Sequence, residues 1–237
     1  MTDGWNESAE AWIKDMGDHG DYARQFVLDP PMIDRIKQKP YRNALDVGCG
    51  EGRFCRILTQ LGINTVGIDP TSALLQQARQ HHPEGDYRSG RAEALDFPDQ
   101  SFDLVVSYLT MIDIPDIRQA IMEMARVLQP GGTLLIANLT SFTTAGPPAG
   151  SEPDEQDDLN VCIDNYLDER AAWVTWRGIH IHNWHRPLST YMSLLLGQGL
   201  QLRHFAEPPP LGGDPQVAER FRRVPYFLIM EWQKPSA

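Results

Sequence analysis

A single α/β domain, with a seven-stranded, mostly parallel sheet and helices on both faces, is predicted by three observations. From residue 43 onward, apolar runs alternate with amphipathic stretches, the pattern left by successive βαβ units. Three glycines, Gly48, Gly50 and Gly52, directly follow the first apolar run. A second turn signal, Pro130-Gly131-Gly132, stands before another apolar run, Thr133 to Ala137.

Taken in order, Asn43 to Val47 reads as the first strand, Arg53 to Leu61 as a helix and Thr65 to Ile68 as the second strand. Ser72 to Gln80 reads as a helix that Thr71 or Ser72 can cap. Tyr87 opens a short third strand, and Phe102 to Ser107 is a buried fourth. The helix over Ile117 to Leu128 ends where Pro130 removes a donor and the two glycines permit unusual φ angles. Thr133 to Ala137 is the fifth strand. The alternation then stops: Ser141 to Asp158 is rich in Gly, Pro and acids, and reads as an inserted lid after strand five, a gate or else a solvated surface loop. Ala172 to Trp184 forms two extended arms around Arg177-Gly178. Pro187 suits the first turn of a helix running to Leu196, and Leu200 to Ala206 and Tyr226 to Trp232 close the sheet.

The 237 residues suffice for one large core, with 41% hydrophobic and 22% charged residues. A formal net charge of −11 disfavours a nucleic-acid partner, because the average field repels a polyanion. Cys49, Cys55 and Cys162 form neither an even disulfide set nor a C-x-x-C pair, which points to a reducing compartment and no metal. The start of the chain is polar and acidic, and no run of about 18 apolar residues occurs, so a soluble cytoplasmic protein off the membrane is expected.

The glycines lie between a strand and a helix, where the missing Cβ lets backbone approach a ligand. A dinucleotide fingerprint would put its third glycine at position 53, where this chain has Arg53, so pyrophosphate binding is disfavoured. The second strand ends in Asp69, 21 positions after Gly48. A carboxylate at that distance can accept both hydroxyls of a ribose, so an adenosine ligand is expected; the alternative is that Asp69 only caps the next helix.

Four blocks, ALDVGCGEG, VGIDP, GRAEALDFPDQSFDLVVS and ARVLQPGGTLLIAN, resemble in order and spacing the Rossmann-like class I S-adenosylmethionine-dependent methyltransferases, especially the small-molecule group related to ubiquinone- and biotin-pathway enzymes. The resemblance covers residues 43 to 139 and implies S-adenosyl-L-methionine as cofactor, S-adenosyl-L-homocysteine as product and methyl transfer to a small-molecule acceptor, by O- or N-methylation. It further implies that Gly48 and Gly50 pass beside the methionyl part, that Asp46 steadies its amino group and that Asp69, followed by Pro70, holds the ribose. Ala92 would turn its N–H to the adenine with Glu93 nearby, and Ser107 would offer a carbonyl to the amino group. Arg91 departs from the Asp or Asn often found at its position. By the same likeness, residues 1–40 would cover the cofactor, with Arg24 either on its carboxylate or in solvent. Residues 43–139 would be the cofactor-binding core, 140–186 a substrate-side insert, and 187–237 the closing helix and strands. A noncatalytic cofactor-binding subunit and a nicotinamide-dependent oxidoreductase are the competing readings.

In open α/β sheets the ligand crevice lies beyond the carboxyl ends of the strands, which turns Tyr108 to Ile114 toward the substrate. Tyr108, Met111 and Ile112 then form an apolar acceptor wall, or else pack on the core. The arm Ile179 to His185 alternates, so His180, His182 and Trp184 share one face and Ile179 and Ile181 the other. His182 and His185 are candidate general bases, and Trp184 a candidate substrate contact.

Overall fold

The computed structural model describes residues 3–146 and 162–236. The main sheet has the order β3-β2-β1-β4-β5-β9-β8. It comprises β1 (Asn43–Val47), β2 (Asn64–Asp69), β3 (Asp86–Ser89), β4 (Phe102–Tyr108), β5 (Leu128–Leu139), β8 (Gln201–Ala206) and β9 (Phe227–Gln233). The first five pair in parallel, while β9 runs antiparallel to both β5 and β8. A separate antiparallel hairpin joins β6 (Arg170–Trp176) to β7 (Ile179–His185). Its two-residue turn puts both Arg177 and Gly178 at positive φ, the geometry whose twist matches the flanking strands.

Side-chain alternation divides the core between two faces. Val105, Leu134 and Ile136 pack with α5 (Ile117–Val127) and α7 (Leu188–Gly197). Leu104, Val106, Leu135 and Ala137 pack on the other face with α2 (Asp29–Lys37) and α3 (Arg53–Gln60). This two-sided burial is why the central strands read as continuous apolar runs. The fifth strand is longer than the sequence suggests: Gly131 donates to the Lys234 carbonyl and the Lys234 N–H returns to Gly132, so the turn itself is drawn into the sheet.

The remaining helices are α1 (Trp5–Met16), α4 (Ser72–His81), α6 (Ser141–Ala145) and α8 (Pro215–Arg223). The expected lid thus begins as a short helix, and its positions 147–158 lie outside the described residues. A one-turn π-helix over Arg24–Leu28 leads into α2. No helix among the described residues is long and apolar enough to cross a membrane.

Candidate active site

Strand order reverses between β1 and β4, and the segments leaving their carboxyl ends diverge there to open a crevice. The glycine loop leaves β1 with Gly48 at φ 75° and Gly50 at φ 54°. A Cβ on Gly48 would collide with Thr110, whereas a Cβ on Gly50 would meet no atom within 4 Å. Gly48 is therefore held by close packing, and Gly50 faces open space.

Asp69, at the end of β2, ties the loop down. Its Oδ2 accepts the Gly50 N–H at 2.9 Å and its Oδ1 the Thr71 N–H at 2.8 Å. Burial pushes its carboxyl up from the ordinary range, and these two backbone donors pull in the opposite direction. Each oxygen keeps a lone pair for a ligand. With Pro70, Leu74, Ala92 and Glu93, Asp69 and the two glycines line a narrow cavity of about 90 Å³. Its far side is made of Trp5, Trp12, Arg24, Tyr108, Leu109 and Asp113.

A second cavity of about 390 Å³ adjoins it and shares Trp5, Trp12, Arg24, Leu109 and Asp113 as walls. The hairpin contributes Val174, Trp176, Ile181 and Asn183 to it. Helix α1 lies between hairpin and crevice. Ser8 and His180 exchange hydrogen bonds, Arg177 pairs with Asp15 at 2.8 Å, and Trp12 Nε1 donates to Glu51 of the glycine loop.

Of the residues expected to touch the cofactor, the structure brings Arg24, Gly48, Gly50, Asp69, Pro70, Ala92 and Glu93 together around one cavity. Arg24 is buried, pairs with Asp21 at 3.0 Å and lies over the Trp12 ring, so it is not in open solvent. Asp46 and Ser107 are buried beneath the loop and do not line either cavity. Asp46 accepts from the Cys55 thiol, and burial pushes its carboxyl up to about 7.

On the acceptor side the structure corrects several expectations. Tyr108 does line the narrow cavity, but its hydroxyl is committed to Asp29, which also holds Arg53 in a bidentate pair. Met111 is fully buried in the core, because the loop after β4 turns it inward. In the hairpin, Ile181 and Asn183 face the cavity, so His182 and Trp184 fall on the opposite face by strand alternation. The His182 ring lies against Trp173, and Trp184 lies under the Arg186 guanidinium. His185 is buried with both ring nitrogens engaged, Nδ1 with Thr144 Oγ1 at 2.7 Å and Nε2 with the Tyr166 carbonyl at 2.9 Å. Burial lowers its pKa, and no ring nitrogen is left for a substrate.

Among the residues that local sequence did not single out, Asp113 and Arg186 matter most. Asp113 lines both cavities and bonds to Asn183, and burial together with Asp69 and Asp3 raises its carboxyl well above the usual range. Its signal was a lone acid between Ile112 and Ile114. Arg186, only 1% exposed, donates to the carbonyls of Met111, Ile114 and Pro115 and so fixes the loop that carries Asp113. Nothing in its local sequence announces that role.

Fold and site together define a doubly wound α/β protein built around a crevice at the carboxyl ends of its parallel strands. Residues 45–136 match the methyltransferase domain family. Among curated relatives, the demethylmenaquinone methyltransferase of Renibacterium salmoninarum is 32% identical over 116 residues, covering 49% of this chain and 48% of that protein. The malonyl-[acyl-carrier protein] O-methyltransferase of Yersinia pestis is 37% identical over 95 residues, 40% of this chain and 36% of that one. The chain thus spans about half the length, or less, of these relatives. Among solved structures, an S-adenosylmethionine-dependent methyltransferase from Mesorhizobium loti superposes with TM-score 0.73 at 25% identity, over 92% of this chain and all of that one. Residues 45–136 are thus similar to the S-adenosylmethionine-dependent methyltransferases, a group whose cofactor is S-adenosyl-L-methionine.

The residues present fit that cofactor. Gly50 leaves a space that a side chain would fill, and Asp69 presents a carboxylate with lone pairs to spare beside an apolar wall of Pro70, Leu74 and Ala92. The cavity is smaller than the roughly 300 Å³ at which small-molecule sites begin, so an adenosine-sized ligand needs it widened. Among the described residues no cluster of His, Cys, Asp or Glu is placed to hold a metal ion.

Proposed function

We propose that this protein transfers a methyl group from S-adenosyl-L-methionine to an oxygen or nitrogen of a small-molecule acceptor, acting as a soluble cytoplasmic enzyme. One observation carries the reading: the glycine-loop cavity and a larger cavity meet at a shared wall, so two ligands can lie end to end. Asp69 would hold the ribose, Gly48 and Gly50 would let the methionyl part pass, and Ala92 with Glu93 would flank the adenine. Arg24 is suited to the cofactor carboxylate once Asp21 releases it.

The cofactor, when bound, supplies a methyl already activated on a sulfonium. What this chain contributes is alignment and exclusion of water. Trp5 and Trp12 of α1 cover the junction, and Arg186 fixes the loop after β4 against which an acceptor would rest. Calorimetry with S-adenosylhomocysteine, followed by a coupled assay of its release across an acceptor panel, tests the reading. Micromolar binding with turnover supports it. Binding without turnover on any acceptor favours a noncatalytic subunit, and oxidation of a reduced nicotinamide would favour an oxidoreductase.

A further inference from the structure

The larger cavity has the volume of an ordinary small-molecule site. Trp5, Trp12, Trp176 and Phe227 give it aromatic walls, and three carboxylates and two guanidiniums enter it. Two of those carboxylates are already answered: Asp15 by Arg177 and Asp21 by Arg24. Asp113 is different. Its Oδ1 accepts from the neutral amide of Asn183, and among the described lining residues it is the carboxylate with no cation paired to it. Asp69 and Asp3 add further negative potential at the same place, while Arg24, the cation acting on it from that side, is shared with Asp21.

We propose that this cavity is the acceptor subsite and that it selects a molecule carrying a protonated amine on an aromatic or aliphatic body, with Asp113 as its counter-carboxylate. The inference rests on the methyltransferase reading above and names the substrate class for it. Burial and the neighbouring acids favour the protonated form of Asp113 in the empty cavity, and an ammonium inserted beside it favours the carboxylate instead, so the two charges form together among aromatic walls and away from water. An anionic acceptor would meet Asp113 with both arginines already paired. A neutral alcohol brings no charge to favour the ionised form of Asp113 and gains only an ordinary hydrogen bond.

Intrinsic tryptophan fluorescence reports the cavity directly, through Trp5, Trp12 and Trp176. The probes are 2-phenylethylamine, 2-phenylethanol and 3-phenylpropionate, matched in body and differing in charge, each titrated with and without saturating S-adenosylhomocysteine. The expected result is amine binding at least about tenfold tighter than alcohol binding, with the acid weakest. Asp113→Asn should abolish the preference for the amine, both with and without S-adenosylhomocysteine. Trp176→Ala, which alters the larger cavity alone, should weaken the amine without touching the cofactor. Equal or tighter binding of alcohol or acid, or no binding of any probe at millimolar concentration, overturns the proposal. So does an amine preference that survives in Asp113→Asn. Loss of S-adenosylhomocysteine binding in Asp113→Asn would instead assign the carboxylate to the cofactor and overturn it too. Failure of the wild type to bind S-adenosylhomocysteine strikes the methyltransferase reading separately, since amine selectivity is also read without it.

Discussion

The Asp69 carboxylate holds the Gly50 N–H at 2.9 Å, so a single acid both shapes the glycine loop and faces the cavity the loop encloses. Asp69→Ala should weaken S-adenosylhomocysteine by about 1.5–3 kcal/mol, roughly 10- to 150-fold in Kd, because a charged acceptor is lost and the loop is freed. Calorimetry checks this, and unchanged affinity would remove Asp69 from the site.

Asp46 gives the fold a pH signature. Burial pushes its carboxyl up to about 7, so between about pH 4 and 7 the folded chain keeps a proton that the unfolded chain releases. Stability then falls as pH rises through that window, by at most about 1.4 kcal/mol per unit from this group. Asp46→Asn should flatten the slope, read as the difference between variant and wild type in urea unfolding at pH 5 and pH 8. Parallel curves would mean that Asp46 is ionised throughout.

Arg186 should be intolerant of lysine despite the shared charge, since an ammonium cannot reach three carbonyls from one planar fork. Arg186→Lys is expected to cost about 2–4 kcal/mol in denaturant unfolding, because buried carbonyls lose their donors. Stability within 0.5 kcal/mol of wild type, on the order of ordinary surface changes, would show the loop to be held by other contacts.

His185 serves packing. Its neutral ring bridges Thr144 and Tyr166, so His185→Ala should lower stability by about 1–3 kcal/mol and leave cofactor affinity intact. Its pKa lies below the ordinary value, so the stability it lends should decline as pH falls below about 6.5. With an acceptor in hand, a fall in kcat of about 10²-fold or more in this variant, at full folding, would return the histidine to the chemistry.

The parallel half of the sheet was legible because strands buried on both faces and punctuated by glycine carry their signal locally, as Ala44 to Gly52 and Thr133 to Ala137 do. The residues lining the glycine-loop cavity were legible for the same reason: Gly50 and Asp69 sit at fixed offsets from strand ends. The acceptor side was not. Alternation along β7 correctly divided His182 from Ile181, but which face meets the cavity depends on how the hairpin docks on α1, through Ser8 and Asp15, more than 150 positions away in the chain. The roles of Arg186 and Asp113 likewise arise only when β7 closes over the loop after β4.

Trp5, Trp12 and Arg24 are walls of both cavities at once, and this makes the two sites thermodynamically linked. A ligand that shifts any of these side chains reshapes a wall of the other cavity, and the coupling is reciprocal, each ligand changing the affinity for the other by one and the same factor. Coupling of this kind needs no rearrangement of the sheet, only an N-terminal segment that borders two cavities.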